Sequence, residues 1–225
     1  MVATLTQKKG WVWKRLRHCP PQPKQPEYKQ AKQADLLTLQ LWAASGLICL
    51  KYVDESGFER TSPLNYSYSL QGEQKRVHQP RRRGKRISAL GVWQPQQSFD
   101  YGLVVGGFNT QRFVQLMDWQ ASLAAKLLAS TGQITVVVLD NASFHKSGAA
   151  QKHWRHWQEQ GLFMFFLPPH SPQMNRIEDE WLHLKRDQLS AQVFDDEYDV
   201  AMAVIAGIQA RGEQGGYAVD RFIFN

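Results

Sequence analysis

The chain reads as an α/β protein, a mixed central sheet flanked by helices and preceded by a basic tail. Three observations point there. Residues 134–139 (ITVVVL) form an unbroken apolar run rich in β-branched side chains, as a strand buried on both faces requires. Residues 162–167 (LFMFFL) form a second short apolar run, stopped by Pro168-Pro169, after which the apolar spacing turns helical at Ile177, Trp181 and Leu184. Ahead of both lie three strand-like stretches able to form a meander, so strands come first and helices then alternate with strands.

Taken in order, residues 1–26 combine Trp11, Trp13 and basic residues with HCPPQPKQP, which ends as a Pro-rich linker. Residues 27–44 have helical spacing, with Ala31, Ala34, Leu37 and Leu41 along one face, and Gly46 ends them. Strands are expected over 47–54, 86–93 and 99–105, the last two joined by the polar turn QPQQS. Between the first two, TSPLNYSYSLQGEQKRV is irregular, and its Tyr66 and Tyr68 are suited to packing or to stacking on a base. Helices are expected over 110–129, 147–159 and 197–210, and no internal repeat is present.

A chain of 225 residues with 43% hydrophobic content can bury one sizeable core, which gives a tail over 1–35 and a single domain over 36–225. No apolar run is long enough to span a bilayer and the N-terminus lacks a signal-peptide core, so a cytoplasmic protein is expected. Cys19 and Cys49, far apart in sequence, exclude a disulfide framework or a Cys-based zinc site. Of the net charge of +7, residues 1–35 carry +6, and a second basic patch gathers Lys75, Arg76, Arg81, Arg82, Arg83, Lys85 and Arg86. Such clusters favour polyphosphate partners through counterion release, against the plainer reading of a solvated loop.

Three acids stand at places where chemistry is common. Asp140 follows the buried run 134–139, at the sheet edge where ligands of open α/β sheets bind. Glu178 lies in the first turn of its helix, one position off the apolar stripe. Asp54 ends the apolar run 47–53 as Asp140 ends its own, and strand alternation allows only one of Asp54 and Glu55 to join a cluster. Each has a plainer reading: a turn or cap for Asp140-Asn141, a turn before Ser56-Gly57 for Asp54, a capping box for Asn175 and Glu178. An oxygen-only donor set suits hard divalent cations, and a pair of them supports in-line phosphodiester displacement. Lys185, two turns beyond Glu178, is placed to reach a phosphate or to stand as a solvated lysine, and Asn141 and His145 are placed to orient a ligand. His153 and His156 suit an amphipathic helix better than a metal site.

VDESGF, LDNASFH and LPPHSPQMNRIEDEW resemble the three acidic motifs of the DDE transposases, in the insertion-sequence branch of the mariner-like superfamily. The resemblance covers about residues 28–189, with Glu178 following Asp140 by 38 positions, and departs at His170, where Tyr is common, and at Arg176, where Pro is common. It implies a ribonuclease H-like fold in which Asp54, Asp140 and Glu178 are catalytic and hold two Mg²⁺ ions, with Mn²⁺ able to substitute. It also implies double-stranded DNA as substrate, both element ends and target, a homodimer on that DNA, and a place on the nucleoid. Lys14, Arg15, Arg17, Arg81, Arg82, Arg83, Lys85, Arg86 and Lys185 are then the expected DNA contacts. GWVWKRLR resembles the last segment of a helix-turn-helix region, so the chain alone is expected to bind DNA with little sequence preference and to need an upstream-frame DNA-binding protein. The rivals are a ribonuclease H-like nuclease or resolvase that cuts without joining, and an inactive DNA-binding remnant.

Overall fold

The computed structural model describes residues 26–61, 84–169, 171–190 and 192–224. Helix α1 (Pro26–Ala44) leads into strand β1 (Ile48–Phe58), which continues through β2 (Ile87–Gln94) and β3 (Ser98–Val105). Then come α2 (Thr110–Thr131), β4 (Ile134–Leu139), α3 (Gly148–Glu159) and β5 (Leu162–Phe166), followed by a 3-10 turn at Pro172–Met174. The chain closes with α4 (Ile177–His183), a π turn (Leu184–Gln188), α5 (Glu197–Gly215) and β6 (Ala218–Phe222). The strands form one sheet in the order β5-β4-β1-β2-β3-β6. β1, β2 and β3 pair antiparallel, as the expected meander, while β4 joins β1, β5 joins β4 and β6 joins β3 in parallel.

Alternation along the strands divides the core into two layers. Leu50, Tyr52, Ile87, Ala89, Val136 and Val138 face α1, α4 and α5, where they meet Leu36, Ile177, Trp181, Val204 and Ile208. Val53, Leu90, Val92, Val137 and Leu139 face α2 and α3, against Phe113, Leu116, Met117 and Trp157. Helices on both faces of a mixed sheet are the architecture expected from the strand order. Among the described residues no helix is long and apolar enough to cross a membrane.

Local signals explain most boundaries. Asn109 caps α2 by accepting from Arg112 N at 2.9 Å, and Gly132 closes it at φ 75°, a conformation glycine adopts without steric cost. Ser147 caps α3 rather than opening it, its Oγ accepting from Ala150 N at 3.2 Å. Cys49 is a buried free thiol, while Cys19 lies outside the described residues.

Three expectations are corrected. On α1 the face carrying Ala31, Ala34, Leu37 and Leu41 points to solvent, with Leu41 61% exposed, and the helix docks through Leu36, Leu39 and Ala43 instead. The sequence has leucines on both stripes, so periodicity alone does not choose between them. α5 runs five residues past the expected end at 210, reaching Gly215. Strand β6 was not expected, because AVDRF is a short edge strand with two charges and a mostly exposed face.

One polar group sits inside the α2 layer. Lys51 Nζ donates to Asp100 Oδ2 at 3.0 Å and to Gln120 Oε1 at 2.8 Å, and Gln120 Nε2 donates to the same Asp100 oxygen at 2.9 Å. All three side chains are buried, so the charges compensate one another rather than water.

Candidate active site

Asp54 does not end its strand. β1 runs on to Phe58 because its ladder with β2 continues to the pair Phe58 and Ile87, with Asp54 opposite Gly91. What ends is the pairing on the other side, where β4 accompanies β1 only as far as Tyr52 opposite Val138. Carrying that register two residues further brings Asp54 level with Asp140, in the opening left where β4 stops. Alternation puts Asp54 on the face of Tyr52, the face α4 covers, and sends Glu55 the other way to pair with Arg86 Nη2 at 2.5 Å. Burial, followed by the charges of Glu178 and Asp140, pushes the Asp54 carboxyl up to about 7.

Asp140 is the exposed member. Its Oδ1 lies 2.9 Å from Nδ1 of His145 and accepts from Ala142 N at 2.9 Å, so the turn reading and the site reading of this residue hold together. The His145 bond, more than any other influence, holds the Asp140 carboxyl below its ordinary range. His145 is 2% exposed, with its ring 4.6 Å from that of Phe113 and 4.2 Å from that of Phe144. Next to Asp140, Asn141 donates from Nδ2 to Leu167 O and accepts from Lys146 Nζ, tying the end of β4 to the end of β5.

Glu178 enters from α4, one residue after the buried Ile177 and three before the buried Trp181. Burial first, then Asp179 and Asp140, raises its carboxyl above the ordinary value. The capping-box reading does not hold, since α4 carries no side-chain cap bond. Asn175 instead donates from Nδ2 to Val53 O at 3.0 Å, and its own carbonyl accepts from Glu178 N at 3.1 Å. Arg176 sits at φ −63°, the value a proline ring imposes, so Arg takes this position without a change of backbone. Its guanidinium lies 5.8 Å from the centroid of the Trp93 ring.

Lys185 falls in the π turn rather than on a continued α-helix, yet lies near enough to Asp54 for that charge to act on it. Its ammonium lies 5.3 Å from the Phe58 ring centroid; burial lowers its pKa while Asp54 opposes that shift. Arg86 is occupied by Glu55 and Ser88, and Lys85 donates its backbone N–H to Glu197 Oε1 at 2.6 Å. Lys14, Arg15, Arg17, Tyr66, Tyr68, Lys75, Arg76, Arg81, Arg82, Arg83 and His170 lie outside the described residues. His153 lies on α3 with Nδ1 3.7 Å from Asp118, and Nε2 of His156 is 3.2 Å from Gln160 Nε2; both stand apart from the acids. Two residues beside the acids were not foreseen as site residues. Asn175 reads as a cap in the sequence, and Lys146, which lies over the Phe166 ring at 4.3 Å, is not singled out there.

The donor set at this opening is oxygen-only and crowded with like charge, which is the chemistry a hard divalent cation satisfies. Among the described residues no three His, Cys, Asp or Glu side chains stand close enough to hold an ion.

Comparisons with known proteins bear on the fold and the family. The chain is similar in fold to a Mos1 transposase paired-end complex with left transposon end, at 18% identity and a TM-score of 0.63, over 96% of this chain and 68% of that one. It matches the catalytic domain of Mos1 mariner transposase at 15% identity and a TM-score of 0.57, over 88% of this chain and 95% of that one. The Mos1 strand transfer complex matches at 18% identity and a TM-score of 0.63, over 96% of this chain and 67% of that one. No curated protein matches. The sheet of mixed direction with helices on both faces is thus the ribonuclease H-like fold. The model of the DDE superfamily endonucleases matches residues 50–200 of the 225, spanning all three acids, and the chain belongs to that family.

Proposed function

We propose that this chain is the catalytic domain of a DNA transposase, in which Asp54, Asp140 and Glu178 hold a pair of divalent ions, Mg²⁺ with Mn²⁺ able to substitute. The observation that carries the reading is the convergence of three carboxylates from β1, β4 and α4 on one opening of the sheet, close enough that Glu178 and Asp140 both raise the Asp54 pKa. Like charges gathered in this way destabilise the fold unless a cation joins them. When bound, the ions activate the attacking oxygen and stabilise the leaving one in an in-line displacement at a phosphodiester. The chain's own part is positional. His145 holds Asp140 oriented, Asn141 pins the turn that carries it, and Lys185 stands beside Asp54 where a DNA phosphate would pass. Water is the first nucleophile and the freed 3′-hydroxyl the second, so no covalent protein intermediate is required.

The test is a strand-cleavage and strand-transfer assay on double-stranded DNA bearing the element's ends, with Asp54→Asn, Asp140→Asn and Glu178→Gln as variants. Each should abolish both products with Mg²⁺ or Mn²⁺ while the circular dichroism spectrum is kept. A variant that nicks at the wild-type rate would remove that acid from the site. Cut product without joined product would favour a nuclease over a transposase.

A further inference from the structure

Helix α4 carries an acid of the proposed site on only seven residues and has no side-chain cap, so its own sequence does little to set where it stands. Its placement is set by contacts outside the three acids. At its head, buried Asn175 joins the two acidic segments directly. Its Nδ2 donates to the carbonyl of Val53, the residue before Asp54, and its carbonyl receives the N–H of Glu178. One residue therefore ties the backbone next to Asp54 to the backbone of Glu178.

The second contact lies across the sheet. Gly91 is the partner of Asp54 in the β1/β2 ladder, and a Cβ built there would lie 2.6 Å from Cζ2 of Trp181 and 2.9 Å from Cζ of Phe99. The missing side chain is the space in which the indole lies, edge-on to Phe99 at 5.2 Å. Trp181 follows Glu178 by one helical turn, so the depth to which the indole sinks beside Asp54 is the depth at which Glu178 meets it. The outer side of the helix is held by Glu180, whose Oε2 accepts from Arg211 Nη2 at 2.7 Å and from Tyr217 Oη at 3.1 Å, which leaves α4 little freedom to turn.

We infer that Asn175 and Gly91 are positioning residues that together set the separation of Glu178 from Asp54, and so the affinity of the site for divalent metal. The inference rests on the metal-holding role proposed above for the three acids. Asn175 acts by hydrogen bonds at the head of α4, and Gly91 acts by absence of bulk under its middle.

Mn²⁺ titration calorimetry on the full chain tests this, with thermal midpoints measured in metal-free buffer alongside. Asn175→Ala and Gly91→Ala should each weaken Mn²⁺ binding by about tenfold, the usual size of an outer-shell effect. Gly91→Ala combined with Trp181→Phe, which removes the clashing six-membered ring, should bind as Trp181→Phe alone does. Leu36→Ala, a buried core residue of α1 outside the three acidic motifs, is the control for a merely structural effect and should lower the midpoint without changing Mn²⁺ affinity. Wild-type binding that is lost in Asp54→Asn but unchanged in Asn175→Ala and Gly91→Ala overturns the inference alone. So does an equal loss of affinity in Leu36→Ala. Binding that Asp54→Asn leaves intact overturns the metal reading and this inference with it. If Gly91→Ala does not fold, Asn175→Ala still decides, because it introduces no bulk.

Discussion

His145 holds Asp140 through a 2.9 Å contact from Nδ1 to Oδ1, made from a ring wedged between Phe113 and Phe144. The donor is thus locked by packing, while the carboxylate it orients remains open to solvent on its other side. Because that bond is the largest influence lowering the Asp140 pKa, removing it raises that pKa. His145→Phe, which keeps the aromatic packing, is expected to weaken Mn²⁺ binding by about tenfold. The loss should be greater at about pH 5 than at about pH 8, since protonation competes with metal only below the raised pKa. Calorimetric titration at the two pH values checks this.

Asp54 carries a stability signature of its own. Its pKa rises from 3.8 in the unfolded chain to about 7 in the fold, so protonation favours the folded state. That contribution is fully present below 3.8 and is lost as pH rises toward about 7. Above that, the metal-free protein is destabilised by a few kcal/mol at most, at about 1.4 kcal/mol per unit of pKa. Asp54→Asn should therefore raise the metal-free thermal midpoint at about pH 8 by several degrees, and by little at about pH 4. Equal midpoints for wild type and variant at both pH values would contradict the burial and crowding of Asp54.

The Lys51, Asp100 and Gln120 cluster is predicted to be costly to break and cheap to replace. Asp100→Ala leaves the buried Lys51 ammonium uncompensated and should destabilise by about 3–5 kcal/mol in urea denaturation. Lys51→Met combined with Asp100→Leu should recover most of that loss, because both charges are then gone. A double variant as unstable as Asp100→Ala would show that the cluster contributes more than mutual compensation.

On α1, Leu36→Ala should cost about 2–4 kcal/mol and Leu37→Ala less than about 0.5 kcal/mol. The two leucines are adjacent in sequence but 4% and 57% exposed. Urea midpoints measured at neutral pH decide it, and equal losses would mean that the docked face is wrongly assigned.

For DNA, Lys185→Ala should reduce the slope of log affinity against log salt by about 0.9, one phosphate contact. Arg86→Ala should reduce it by less, since Glu55 already neutralises that guanidinium. Fluorescence anisotropy on a duplex at several salt concentrations measures both. An Arg86 effect as large as that of Lys185 would mean that DNA displaces Glu55.

Much of this protein was legible before folding, for a physical reason in each case. A strand buried on both faces must be apolar throughout, so 134–139 announced β4 and left Asp140 conspicuous at its end. The three motifs carry their acids in order, so their residues stood out without any knowledge of where they meet. What the linear pattern does not contain is which neighbour a residue faces. Asp54 seemed to end a strand because the apolar run stops there, whereas the β2 ladder carries the strand on and only the β4 pairing ends. Asn175 seemed to be a cap because an Asn three residues before a Glu satisfies local donors well, but the carbonyl it binds belongs to Val53, 122 residues away in sequence. Periodicity could not choose between the two leucine stripes of α1, and the charged edge strand β6 has no core-facing pattern to betray it. Local chemistry determined the elements and the acids. Pairing register and helix docking, which depend on contacts distant in sequence, decided how those acids come together.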